Sequence, residues 1–391
     1  MKIFRTLPTG RLIALSVVVV VVLTGAAVAV ASRGGSGSTP PPKPLAQALH
    51  DALGAAEPAG VTARISFTNK LFPSGALTGQ TGSALMTGAT GRLWANANGG
   101  RLELQSDAGD AQIVWNDTKV TVYDATSNTA YVADLPQTTG STGTTAPAVP
   151  TLDEITTFLT NLGKHWTVSG AEPSNVAGQE AYTVTVSPSH DGGLLGSVEL
   201  AWDATHGTPL KVAVYAQGSS APVLALEATD ISFGSVPDSD IAVSPPAGAT
   251  IVDLSSQAGS GTSGSGPAPS TGLAAVQAAA PFPVVAPDTL VGLPLQDVRL
   301  VGPADSQSVL VAYGQGLGAI IVVERKQDTS KAGQAGGMLA ALPSVSLDGV
   351  TAHELATQLG TVLGWDSAGV SYILAGSIPT SAAESAARSL K

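Results

Sequence analysis

"WNDTKVTVYDATSNTAYVADLP", residues 115–136, is the stretch on which the fold turns. Val120 and Val122 alternate with Thr121 and Tyr123, Asp124 to Asn128 make a polar turn, and Ala130 to Ala133 begin a second short run. Alternation with period two, a turn, and a second run together predict a β-hairpin. The same rhythm extends in both directions. Leu102 and Leu104 flank Glu103, Ile113 and Trp115 flank Val114, and Tyr182, Val184 and Val186 alternate with Thr183 and Thr185. Val198, Leu200 and Trp202, then Leu210, Val212 and Val214, continue it. Each run puts its larger apolar groups on one face, which predicts one broad antiparallel sheet with one wet side.

Two segments break the rhythm. In residues 45–54, "LAQALHDALG", leucines recur every fourth position and Gly54 stands where a helix would stop. Residues 151–163 open with Thr151 and Glu154 at capping-box spacing and carry Leu152, Ile155, Phe158, Leu159 and Leu162 on one helical face. A helix with an apolar stripe must bury it, and the apolar face of the sheet is the available surface. The expected fold class is therefore α+β, a curved antiparallel sheet with helices closing its open side.

Composition sets outer limits. The 391 residues, 43% hydrophobic and 12% charged, suffice for two ordinary cores. A net charge of −11 without a clustered Lys/Arg stripe argues against nucleic acid as a partner. Having no cysteine excludes disulfides, thiolate metal sites, cysteine nucleophiles and a thioether-lipidated N-terminus.

Lys2, Arg5 and Arg11 precede an uncharged apolar run over residues 12–31, about the ~20 residues a helix needs to span a bilayer. The basic flank favours an N-in, C-out orientation, so residues 1–32 are expected to be a transmembrane signal-anchor. The competing reading is a long signal peptide cut near Ala27-Val28-Ala29 or Ala29-Val30-Ala31. Either way the rest is expected outside the cytoplasm, in the cell membrane or secreted, with 15 basic against 29 acidic residues. Gly/Ser/Pro composition marks residues 33–44 as an extended spacer and residues 255–270 as a linker. Residues 137–150 read as a long Thr/Pro-rich loop. The expected domains are 45–254 and a smaller α+β unit, 271–391. In the latter, residues 308–325 read as a hairpin around Gly314 to Gly318, residues 350–376 as further strands, and residues 379–390 as a helix with Ser381 and Glu384 in capping-box register.

Sequence motifs for chemistry are weak. "GQGLG" leads into the strand-like "AIIVVER", whereas a phosphate-binding loop must lead into a helix. His50, His165, His190, His206 and His353 show no i, i+4 pairing of a helical zinc site. His190-Asp191 in "SPSHDGG" reads as a loop tip, and no G-x-S-x-G elbow accompanies it. No metal, no cofactor and no enzymatic activity are expected.

Residues 91–136 and 208–254, the latter with its F-x-x-x-P-D-S-D phrase at Phe233 to Asp240, resemble the LolA/RseB-like lipoprotein-localisation superfamily. The resemblance implies a β half-barrel covered by helices around a hydrophobic cavity for acyl chains. The tail from Asp297 resembles a small C-terminal domain of exported or membrane-tethered regulators. On this resemblance the protein is expected to bind a lipid or a lipidated protein. The alternative is an RseB-like envelope-stress sensor acting on a membrane anti-sigma factor; residues 1–11 are too few for a cytoplasmic sigma-binding domain of its own. The expected cavity-lining residues are Leu102, Leu104, Ile113, Trp115, Val120, Val122, Leu200 and Trp202. A barrel interior filled by its own side chains would read identically in sequence.

Overall fold

The computed structural model describes residues 37–71, 83–135, 149–189, 193–255, 270–302, 307–327 and 342–390. The expected transmembrane segment, most of the 137–150 loop and most of the 255–270 linker lie outside them. Among the described residues no helix is long and apolar enough to cross a membrane. Two compact units are formed, one from the elements before residue 256 and one from those after 269.

The first unit opens with α1 (Leu45–Gly54) and β1 (Val61–Asn69), then the one-turn α2 (Ala84–Thr87). A run of hairpins comes next: β2 (Ala89–Asn96), β3 (Gly99–Ser106), β4 (Gly109–Asn116), β5 (Lys119–Asp124) and β6 (Thr129–Asp134). After α3 (Leu152–Leu162) come β7 (Trp166–Val168), β8 (Glu172–Val176), β9 (Gln179–Pro188), β10 (Leu195–Asp203), β11 (Pro209–Ala216) and β12 (Pro222–Phe233). The short α4 (Asp238–Ile241) and β13 (Thr250–Asp253) close it. All thirteen strands belong to one curled sheet, a half-barrel in the order β13-β6-β5-β4-β3-β2-β1-β12-β11-β10-β9-β7, with β8 beside β9.

Local chemistry fixes the hairpins. The Asn116 side chain accepts from the backbone N–H groups of Thr118 and Lys119, each at 2.9 Å, which turns the chain from β4 into β5. In the β5–β6 turn Asn128 takes φ 48°, a left-handed conformation that asparagine tolerates. The register shift between Arg64 and Ile65 leaves Thr229 as the extra residue of a bulge in β12 opposite β1, and bulges increase local twist.

The helices start and pack for identifiable reasons. Thr151 caps α3: its Oγ1 accepts from the Glu154 N–H at 3.3 Å, and the Glu154 carboxylate accepts from the Thr151 N–H at 2.8 Å. That is the capping box its spacing predicts. Ala48 of α1 is buried against Tyr182, Val184 and Trp202 of β9 and β10, with Leu45 and Leu49 packed beside it. The end of the expected spacer is tied down. Tyr182 Oη donates to the Pro41 carbonyl at 2.7 Å, Lys43 pairs with Asp51 at 2.7 Å, and Lys43 makes a backbone bridge with Ala171.

The second unit carries α5 (Leu273–Ala279), β14 (Thr289–Leu290), β15 (Leu293–Val301), β16 (Ser308–Tyr313), β17 (Ile320–Lys326), β18 (Ser344–Leu347), β19 (Val350–Thr357), β20 (Gly360–Ser367), β21 (Val370–Gly376) and α6 (Thr380–Arg388). Its eight strands form one sheet in the order β14-β15-β16-β17-β21-β20-β19-β18. The "GQGLG" glycines make a 3-10 turn between antiparallel β16 and β17, with Gly314 at φ 71° and Gly316 at φ 66°. Ala383, Ala386, Ala387 and Leu390 at the C-terminus are buried in this unit's core. The Ser381/Glu384 capping box does not form. The helix begins two residues earlier, with Pro379 at the cap position, so Ser381 is already inside the first turn, and Glu384 instead pairs with Arg388 at 2.7 Å.

Candidate ligand-binding site

In an antiparallel ladder directly paired residues share a face, so register alone shows which side chains meet. One rung runs Ile231–Ala63–Leu93–Leu102–Ile113–Val122 across β12, β1, β2, β3, β4 and β5. The next runs Phe233–Val61–Ala95–Gly100–Trp115–Val120. A third passes through Gly91, Leu104 and Ala111. The first three hairpins therefore bring Leu102, Leu104, Ile113, Trp115, Val120 and Val122 onto a single apolar face. Leu102, Leu104 and Ile113 are at most 3% exposed, and Val120 and Val122 pack at the margin of the same cluster.

Gly100 has a specific task in the second rung. A Cβ there would run into the six-membered ring of Trp115, so the indole lies across the bare backbone of the facing strand. Glycine at this position gives the largest side chain on the face its room.

A cavity of about 240 Å³ opens along this face. Leu102 and Trp115 line it, together with Val61, Ala63 and Ile65 of β1, Leu93 of β2, and residues of β11 and β12 including Leu210 and Ala228. Leu104, Ile113, Val120 and Val122 lie in the surrounding core rather than in the lining. Leu200 and Trp202 are elsewhere: they pair with Val184 and Tyr182 and pack in the cluster around Ala48 of α1. The residues that sequence reasoning passed over are those of β1 and β12. Their signal is nevertheless in the chain, since Val61, Ala63, Ile65 and Phe67 alternate strictly with Thr62, Arg64 and Ser66.

Polar groups gather at one end of the cavity, where strand ends meet. Glu57 from the α1–β1 connection and Asp117 from the β4–β5 turn are exposed lining residues, joined by Asn96 and Thr208. Thr208 is placed by the turn before β11. There the buried Asp203 carboxylate accepts from the backbone N–H groups of Thr205 and His206 and pairs with His206 Nδ1 at 2.8 Å, while the His206 ring lies 4.0 Å from that of Phe233. This histidine thus has a structural place.

Lys211, also in the lining, has its ammonium 2.9 Å from Glu199 and 3.6 Å from Glu227. Burial works to lower its pKa, but the Glu199 hydrogen bond and the two carboxylate charges prevail and the net shift is upward. Burial pushes the Glu227 carboxyl up, against the pull of Lys211. Among the described residues no group of three or more His, Asp or Glu side chains is placed to hold a metal ion. What the arrangement offers is apolar surface with a polar rim, suited to binding.

No family model and no curated protein matches the chain. Among solved structures it is similar to MucB in complex with MucA(peri), with TM-score 0.42 and 13% identity over 89% of this chain and 96% of that one. The Pseudomonas aeruginosa MucA/MucB complex gives TM-score 0.42 and 13% identity, covering 88% and 94%. A LolA-superfamily protein from Nitrosomonas europaea gives TM-score 0.22 and 8% identity, covering 51% of this chain and 98% of its own.

Proposed function

We propose that the half-barrel unit is a non-enzymatic binder of a hydrophobic ligand, a lipid or the acyl chain of a lipidated protein, working outside the cytoplasm and tethered by residues 12–31. The observation that carries this reading is the cavity of about 240 Å³ walled by apolar side chains from several strands of one sheet. Its size is just under the ~300 to 1,000 Å³ of common small-molecule sites. With a methylene about the size of a water molecule, ~30 Å³, a cavity of 240 Å³ takes about eight methylenes of a single chain. At about 0.8 kcal/mol per buried methylene this amounts to roughly 6 kcal/mol of gross burial, from which the lost freedom of the bound chain is subtracted. The surplus suits weak, reversible holding of one chain. The expected eight-residue lining narrows in this proposal to Leu102 and Trp115 as direct contacts, with Leu104, Ile113, Val120 and Val122 as their support and Leu200 and Trp202 in a separate core.

The test is lipid extraction and mass spectrometry on residues 33–391 purified after export, beside an unrelated exported protein. A stoichiometric lipid, lost on replacing Ala228 with Phe to fill the cavity, is the expected result. A protein that is empty and takes up no added lipid refutes the reading. It would leave the sensor alternative, to be pursued by crosslinking to an envelope partner.

A further inference from the structure

We propose that Phe67 is the stop that sets how long an alkyl chain the cavity accepts; this rests on the hydrophobic-ligand reading and specifies the ligand's length. Exposed Glu57, Ala97, Asp117 and Pro209 belong to the lining and gather where β1, β3 and β11 begin and β2 and β4 end, so the mouth is at that end. From there the lining on β1 runs inward through Val61, Ala63 and Ile65, every second residue and hence one face. On β12 it runs through Ile231 and Ala228 to Leu226, and on β11 it reaches Val212, the register partner of Leu226. The other register partner of Leu226 is Phe67 of β1. Val212 and Leu226 line the cavity on this deepest rung, whereas the Phe67 side chain, 1% exposed, fills the β1 position of the rung within the packed cluster.

Small neighbours make room for that ring. Ala89 of β2 is paired with Phe67, and Ala84 of α2 is buried in the same cluster. α2 is itself held at this end of β1: Asn69 Nδ2 donates to the Leu85 carbonyl at 3.1 Å, and Ser83 Oγ accepts from the Leu85 N–H at 3.3 Å. Trp115 at the mouth and Phe67 at the far end are the buried aromatic rings of the cluster. A chain that enters past Trp115 therefore meets Phe67 after running along β1 from Val61 to Ile65. At ~3.3 Å of rise per residue that path is about 13 Å long. An extended alkyl chain advances about 1.3 Å per C–C bond of ~1.5 Å, so the path holds about ten carbons. The cavity volume of 240 Å³ accommodates about eight, and the two measures agree on one chain of about eight to ten carbons.

The experiment titrates residues 33–391 with hexyl, octyl, decyl, dodecyl and tetradecyl maltoside, each below its micelle concentration, by calorimetry. One neutral head throughout leaves chain length as the variable. Each methylene should tighten binding about fourfold until the chain reaches about eight to ten carbons, and each one beyond should add little. Phe67→Leu should move this break outward by about two carbons and Phe67→Ala by about four, with hexyl maltoside unchanged. Leu226→Phe, which adds bulk on the same rung, should move it inward. Circular dichroism establishes which variants are folded, and Phe67→Leu carries the test where Phe67→Ala is not. Affinity that climbs steadily to tetradecyl maltoside would overturn the length limit and leave the cavity reading standing. A break that stays in place in the folded Phe67 variants, or an equal loss at every length, would reduce Phe67 to core packing and also overturn the proposal. If the folded protein binds none of the series, the hydrophobic-ligand reading falls and this inference with it.

Discussion

Replacing Glu324 with glutamine should remove most of the pH dependence of the second unit's stability. Glu324 lies on β17 opposite Tyr372 with no exposed surface, in the same core as Val309, Val322 and Leu374. Its Oε2 accepts from the Val285 N–H at 3.1 Å, and among the described residues its Oε1 has no hydrogen-bond partner. Burial raises the carboxyl from 4.5 to about 7, with the Val285 N–H pulling partly back. The folded pKa lies above the unfolded one, so the protonated acid's contribution is fully present below 4.5 and is lost as pH rises through about 7. At 1.36 kcal/mol per pKa unit the loss is about 3 kcal/mol, or roughly 10 °C in Tm for a unit of this size. Glutamine keeps an acceptor for Val285 and has no charge to bury. Calorimetry on residues 33–391 at pH 5 and pH 8 should show near-equal Tm values for the second unit at pH 5 and a higher value for Glu324→Gln at pH 8. Glu354, raised by burial and by Glu384, is present in both proteins, and the phenols of Tyr313 and Tyr372, held up chiefly by burial, stay protonated at both pH values with or without Glu324. A difference between the two that is the same at both pH values would refute the reasoning.

Three further outcomes can be checked at the bench. Gly100→Val should displace the Trp115 indole, cost about 1 to 3 kcal/mol by overpacking and weaken lipid uptake at least tenfold, read by urea denaturation and by bound-lipid mass spectrometry. Thr151→Ala should cost about 1 kcal/mol through loss of the α3 cap, seen as a lower urea midpoint with unchanged slope. Asp203→Ala should cost about 1 to 3 kcal/mol and raise hydrogen exchange at Thr205 and His206, whose N–H groups lose their acceptor.

Sequence patterning carries the first hairpins almost residue by residue. β3, β4 and β5 each have one apolar and one more polar face, so alternation assigns the face and the short turns fix the register. That is why Leu102, Ile113 and Val122 fall on one rung as well as one face. Leu200 and Trp202 show the limit of the same argument: alternation assigns a face within a strand, and only the packing of α1 decides which core that face joins. β8 is illegible for another reason, since "EPSNV" is polar, contains proline and is mostly half-buried. The start of α6 depends on Pro379, whose fixed φ sets the helix cap two residues ahead of the Ser381 cap signal. The polar rim gathers residues from Glu57 to Thr208, and no local pattern links positions that far apart.

β13 has a role beyond lengthening the sheet. It runs parallel to β6, pairing Ile251 with Ala130 and Val252 with Tyr131, and the Leu254 N–H donates to the Val132 carbonyl at 2.7 Å. An open strand edge is a template for pairing with another chain, and β6, with Tyr131 41% exposed, would present one without this cover. The cover is itself four residues long and ends in Asp253, a short charged stub that offers little to a passing strand. A polypeptide cut before Thr250 would therefore carry a sticky edge, and one extended past Leu254 would stay monodisperse at concentrations where the shorter one aggregates.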